Sequence, residues 1–185
     1  SEESDRYKRQ CISIVHMFMK SEGSEVEEEG QPIIVMRDRK SKNVTAHVLE
    51  EKGVNEYAVK RVYQDIKLMG YHKIVLKSDN EPAIIALKQE VKRITSGIEI
   101  ISEESPVGES SSNGEIEAVI KSVQGMTRTL KSQLESRLND KLKCESVLIP
   151  WMIRHAASPM SKFIVGSDGM TAYRRLRERV QELHS

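Results

Sequence analysis

The chain holds only two cysteines, Cys11 and Cys144, in 185 residues, too few for a disulfide framework. Its five histidines, His16, His47, His72, His155 and His184, never fall at zinc-ligand spacing with those cysteines, so a structural zinc site is not expected. No apolar run approaches the ~18 residues of a membrane span, and the opening SEESDRYKRQ lacks the apolar segment of a secretory signal. These absences lead us to expect an intracellular chain with no membrane partner. Charge of one sign is also missing, since the formal net charge is +1. The average hides a separation: Glu22, Glu25, Glu27, Glu28 and Glu29 crowd one stretch, while Lys and Arg dominate beyond Lys121. The acidic stretch reads as a solvated connection between two strands. The basic half, with Lys121, Arg128, Lys131, Arg137, Lys141 and Lys143, then Arg174, Arg175, Arg177 and Arg179, is a candidate for phosphate contact.

What the chain does have is enough apolar residues, 38%, for one real core. We expect a short N-terminal extension over 1–10 and a single domain over 11–185. CISIVHMFMK and PIIVMRDRKSKNVTAHVLEEKG carry three short β-branched or apolar runs broken by turn residues, and read as strands. From Asn55 the period lengthens: Ala58, Val62, Ile66 and Met69 form one helical stripe that Gly70 stops. Strand character returns at Lys73–Lys77. Asn80 is placed to cap a further helix with Pro82 in its first turn and Ala83, Ile84, Leu87, Val91 and Ile94 on one face. Gly97 to Ser102 reads as a last strand, EESPVGESSSNG as a loop, and a long helix is expected from about Gly114. Two more helices follow, one over LIPWMIRHAASPMSKF and one from about Gly169 to Leu183. Strands first, then helix and strand in alternation, then a helical C-terminal third describe an α/β fold with a mixed sheet flanked by helices.

Two carboxylates stand at element ends in this scheme. Asp79 follows an apolar strand directly, and Glu115 and Glu117 open the long helix. On that helix Ile116, Val119, Ile120, Val123, Thr127 and Leu130 share the core side, whereas Glu117, Lys121, Gln124 and Arg128 form a separate polar stripe. An acid followed by an amide and two cations suits a metal ion beside a nucleic-acid backbone. The same stripe also has a plainer reading, a solvated i,i+4 Glu–Lys pair.

Four passages together resemble the catalytic core of retroviral and gypsy-type LTR-retrotransposon integrases: Pro32 to Leu49 with its RDRKSK turn, the strand end SDNE, the loop and helix SSSNGEIE, and the closing GMTAYRRL. The resemblance spans about Cys11 to Leu176. It implies a ribonuclease-H-like fold and an origin in a transposable element. It also implies DNA as partner, a possible homodimer, action in the nucleus, and a D, D, E triad holding Mg²⁺ or Mn²⁺ for DNA cleavage and strand transfer. Asp79 matches the second acid of the triad and Glu117 the third, as catalytic and metal-binding residues. With DNA as partner, Asn113, Lys121, Gln124 and Arg128 are the candidate nucleic-acid contacts. A core of this length would be partial as an integrase, lacking the zinc module and the DNA-binding tail.

The first acid is missing. The family's apolar-x-D segment aligns with Ile14-Val15-His16-Met17-Phe18, which puts Val15 where the bridging aspartate belongs. His16 should point to the opposite face of its strand, and imidazole is a poor ligand for Mg²⁺. Asp38, in the RDRKSK turn, should lie away from the site. The expectation is an integrase-type core impaired by loss of that acid, and the alternative is an inactive nucleic-acid-binding or dimeric scaffold module.

Overall fold

The computed structural model describes residues 10–19, 30–105, 110–143, 146, 148–162, 168–171, 174, 175, 177, 178 and 181. The acidic Glu22–Glu29 stretch and Cys144 lie outside the described residues, as does much of the final helix expected over Gly169–Leu183. Strands β1 (Cys11–Met17), β2 (Ile33–Asp38) and β3 (Val44–Val48) come first. Helix α1 (Glu56–Leu68), β4 (Lys73–Ser78), α2 (Pro82–Ile94), β5 (Glu99–Glu104), α3 (Ser110–Leu138) and α4 (Leu148–Lys162) follow. They build one five-stranded sheet of order β3-β2-β1-β4-β5. The first three strands pair antiparallel, whereas β4 runs parallel to β1 and to β5. The expected mixed sheet flanked by helices is the one observed.

Alternation along the strands sends side chains to two separate cores. Ile12, Ile14, Ile34, Met36, Ile74 and Leu76 pack with α1 and α2 on one face. Met17, Ile33, Val35, Val44 and Ala46 meet Ile116, Val119 and Val123 of α3 and Ile153 and Ala157 of α4 on the other. On that second face β4 and β5 are treated differently. Lys73 and Lys77 pair with Glu99 and Glu103 across the strands at 3.0 and 3.2 Å.

Those pairs explain a correction. The last strand runs over Glu99–Glu104 and not Gly97–Ser102, because Glu103 and Glu104, read as the start of the loop, continue the ladder opposite Lys77 and Ser78 of β4, while Gly97 sits at φ +78° in the turn before the strand. Helix α3 starts at Ser110, a turn ahead of Gly114, which sits inside it with open space around the position of a Cβ. Propensity costs about 1 kcal/mol for such a glycine, and the packing of the stripe below it overrides that. The cap of α2 is Glu81 and not Asn80, since the Asp79 side chain takes the turn by accepting the Glu81 amide at 3.2 Å. Ile94, expected on the buried face of α2, is 38% exposed, and Lys88 is buried in that helix.

Candidate functional site

The RDRKSK turn is a structural device. Asp38 is fully buried, and its carboxylate accepts the Lys40 and Ser41 amides at 3.1 and 3.2 Å, the Ser41 hydroxyl at 2.5 Å and the Tyr71 hydroxyl at 2.6 Å. Lys42 takes φ +65° as the chain turns back. The second motif docks on the first: Arg175 Nη1 donates to the Ser41 carbonyl at 2.9 Å. Asp168 grips the same guanidinium, with Arg175 Nε 2.8 Å away and a shorter contact from Nη2. The Arg175 guanidinium and the Met170 amide hold the Asp168 carboxyl at about 2. Arg174 pairs with Glu178 at 2.9 Å. Both arginines, read from sequence as candidates for phosphate, are thus engaged within the chain.

Asp79 stands directly after β4, half-buried. The residue before it is locked by Lys88, whose ammonium is buried and uses all three protons. It donates to the Ser78 hydroxyl and the Glu103 carbonyl, both at 2.9 Å, and meets Glu104 Oε1 at 2.8 Å. The Ser78 hydroxyl in turn donates to the Asp79 carbonyl at 2.8 Å. Lys88 and then Ser102 hold the Glu104 carboxyl below the usual carboxylate range. The apolar pattern of α2, Ala83, Ile84, Leu87, Val91 and Ile94, does not include Lys88. Only its helical offset from Ile84 hinted at burial. Lys88→Met is expected to cost about 2–4 kcal/mol, because the Glu103 carbonyl and the Glu104 carboxylate lose their donor. Urea denaturation measures this, and an unchanged midpoint would contradict the bracing role.

On the other side of Asp79, Glu81 is clamped. His16 Nδ1 lies 3.2 Å from Glu81 Oε2, and Lys52 Nζ lies 2.9 Å from Oε1. Burial pushes the Glu81 carboxyl up, but the hydrogen bonds from Lys52 and His16 outweigh it and leave the group below its ordinary range. His16 therefore faces α2, on the side of the sheet away from α3, as strand alternation requires.

Val15 points the other way and packs at the margin of the α3 core. The β1–β4 register pairs Cys11 with Val75 and Ser13 with Lys77, and carrying it on brings Val15 level with Asp79. Above this row runs α3. Glu115 is drawn toward the β2 side by Arg37 and Lys42, at 3.7 and 3.8 Å. Gln124 Nε2 donates to the Phe18 carbonyl at 3.0 Å, fastening α3 to the far end of β1. Glu117, seven residues before Gln124 and so at nearly the same helical angle, projects on the β1 side, well rotated from Glu115. It is exposed, as are Lys121 and Arg128, and these two cations have no ion-pair partner among the described residues. Asn113 lies in the first turn of α3, with its side chain outside the described residues.

A two-metal centre needs several hard oxygen donors in one place. Among the described residues no three of His, Cys, Asp and Glu gather closely enough to hold a metal ion. Val15 offers no donor at the level of Asp79. The donor set does not fit two metals.

No protein-family profile matches the sequence, and no curated protein matches it. Among solved structures the chain is similar to the catalytic core domain of BIV integrase, with a TM-score of 0.63 at 18% identity over 96% of this chain and 99% of that one. The chain has the ribonuclease-H-like fold of an integrase catalytic core. No helix among the described residues is long and apolar enough to cross a membrane.

Proposed function

From the premise of that fold, we propose that the chain is an integrase-type core of transposable-element origin that binds DNA and has lost most of its metal-dependent cleavage and strand transfer. The observation that carries this reading is Val15: it stands level with Asp79 on the face of the sheet beneath α3, where a third carboxylate would complete the set begun by Asp79 and Glu117. Asp79 and Glu117 are the remaining catalytic and metal-binding residues of this proposal. Two carboxylates supply at most one weak site for Mg²⁺ or Mn²⁺, whose affinity grows with charge and oxygen count.

DNA contact falls to the α3 stripe. Lys121 and Arg128 are exposed and unpaired among the described residues, which leaves both free to neutralise phosphates. Gln124 uses one N–H of its amide internally, so its second N–H and its carbonyl oxygen are what it offers to a ligand. Asn113, at the start of the helix, completes the set. The same reading puts the chain inside the cell, in the nucleus when it acts on DNA.

Replacing both Lys121 and Arg128 by Ala is expected to weaken binding to duplexes of unrelated sequence alike. It should also flatten the slope of log K against log salt by about 1–2 units. Fluorescence polarisation over a salt series measures both. An unchanged slope would remove α3 from the DNA interface.

A further inference from the structure

The turn from Arg37 to Lys42 puts four cations and one acid into six residues, and the acid is spent inside, since Asp38 is fully buried in the hydrogen bonds that set the turn. The cations are left to face outward on a fixed support. Arg39 and Lys40 are exposed, and neither has an ion-pair partner among the described residues. Arg37, on the sheet face beneath α3, keeps a buried Nε that finds no hydrogen-bond acceptor among them. The Glu115 carboxylate stands between Arg37 and Lys42 at 3.7 and 3.8 Å, beyond the ~2.7–3.2 Å of an N–H···O hydrogen bond. Glu115 supplies charge there without bonding. Its carboxylate is tethered to α3 and stops short of both cations, so the place between them holds a loosely fitted anion and an unspent guanidinium donor.

We propose that Arg37, Arg39, Lys40 and Lys42 form a cradle for the phosphates of a nucleic-acid backbone, which Glu115 fills in the free protein and yields when DNA binds. An anion that is not tethered to α3 can approach Arg37 Nε and Lys42 to bonding distance, and a guanidinium beside ammonium groups suits phosphate oxygens. A backbone fits better than a free phosphate. Arg39 and Lys40 lie outside the gap between Arg37 and Lys42, and only a run of phosphates engages all four cations. Arg37 pairs with Ser13, two residues before Val15 on β1, so the cradle lies only ~7 Å along the strand from the level of Asp79. One strand of DNA can then pass both. The inference rests on the DNA-binding reading, but it uses the β2 side of α3 instead of the Lys121 and Arg128 stripe and makes Glu115 a competitor of the ligand.

The full 185-residue chain is titrated into a labelled duplex over a salt series, followed by fluorescence polarisation. Arg39→Gln/Lys40→Gln is expected to weaken binding at least about fivefold and to flatten the slope of log K against log salt by about 1–2 units. Glu115→Gln should tighten binding at least about threefold, and that gain should vanish when Lys42→Gln is added, because the two side chains act at one place. Far-UV circular dichroism checks that each variant keeps the fold, and the Arg39/Lys40 pair, exposed and without partners, tests the cradle even if Lys42→Gln does not. An unchanged slope in that pair overturns the proposal. So does a Glu115→Gln gain that survives Lys42→Gln, which would come from the general field of the protein. Displacement of the duplex by millimolar inorganic phosphate at constant ionic strength would assign the cradle to a small anion and overturn it as well. No binding by the unmodified chain removes the inference together with the DNA-binding reading. A slope that Lys121→Ala/Arg128→Ala flattens and Arg39→Gln/Lys40→Gln leaves alone removes the inference only.

Discussion

Val15→Asp is expected to lower the melting temperature of the metal-free protein by about 2–12 °C and to make that temperature respond to Mn²⁺ or Mg²⁺. The fall has two sources. Val15 packs at the margin of the core formed by Val35, Ile116 and Val119, and a carboxylate there loses that contact. It also sits level with Asp79, so two anions share a partly buried place. A cost of about 1–3 kcal/mol follows, and at roughly 2–4 °C per kcal/mol for a domain of this size the stated range results. Divalent metal should return it by linkage, about 2.7 kcal/mol when the free ion is at 100 times its dissociation constant. The unmodified chain should respond far less. Equal stabilisation of the two proteins by metal would mean that Val15 is not at the metal position.

Asp38→Ala should be the most damaging substitution in the fold, with a loss of about 3–5 kcal/mol. The carboxylate is fully buried and holds the Ser41 amide and hydroxyl, the Lys40 amide and the Tyr71 hydroxyl. Alanine would take the carboxylate acceptor away from the Tyr71 hydroxyl and the Ser41 amide at a buried place. The turn also presents the Ser41 carbonyl to Arg175, so the C-terminal segment should loosen with it. Denaturant unfolding measures the loss, and Asp38→Asn, which keeps one acceptor oxygen, should cost less. A loss below about 1 kcal/mol would show that the turn is held by other contacts.

Period-2 and period-3.6 patterning made the element order readable, and with it the mixed sheet and the core side of α3, where Ile116, Val119, Val123 and Thr127 are buried as expected. Misread positions share one cause: their partner lies far away along the chain. Glu103 is a strand residue because Lys77 faces it. Lys88 is a core residue because Ser78 and Glu104 receive its protons. Asn80 read as the cap of α2, whereas Glu81 holds that position with His16 and Lys52 converging on it. No local pattern announces such pairings. The link between RDRKSK and GMTAYRRL was likewise visible only as two separate motifs, although one hydrogen bond joins them. At the candidate site Val15 was singled out by the resemblance alone, which aligns it with the family's first acid, and the β1–β4 register, which no local pattern announces, is what brings it level with Asp79.

The most direct test of the account follows DNA binding and nicking in one sample: the unmodified chain, a labelled duplex and Mn²⁺, with Asp79→Asn beside it. The account predicts salt-sensitive DNA binding by both proteins and no nicking above background by either. Nicking by the unmodified chain that Asp79→Asn abolishes would contradict it, since a working metal site would then exist without a carboxylate at Val15.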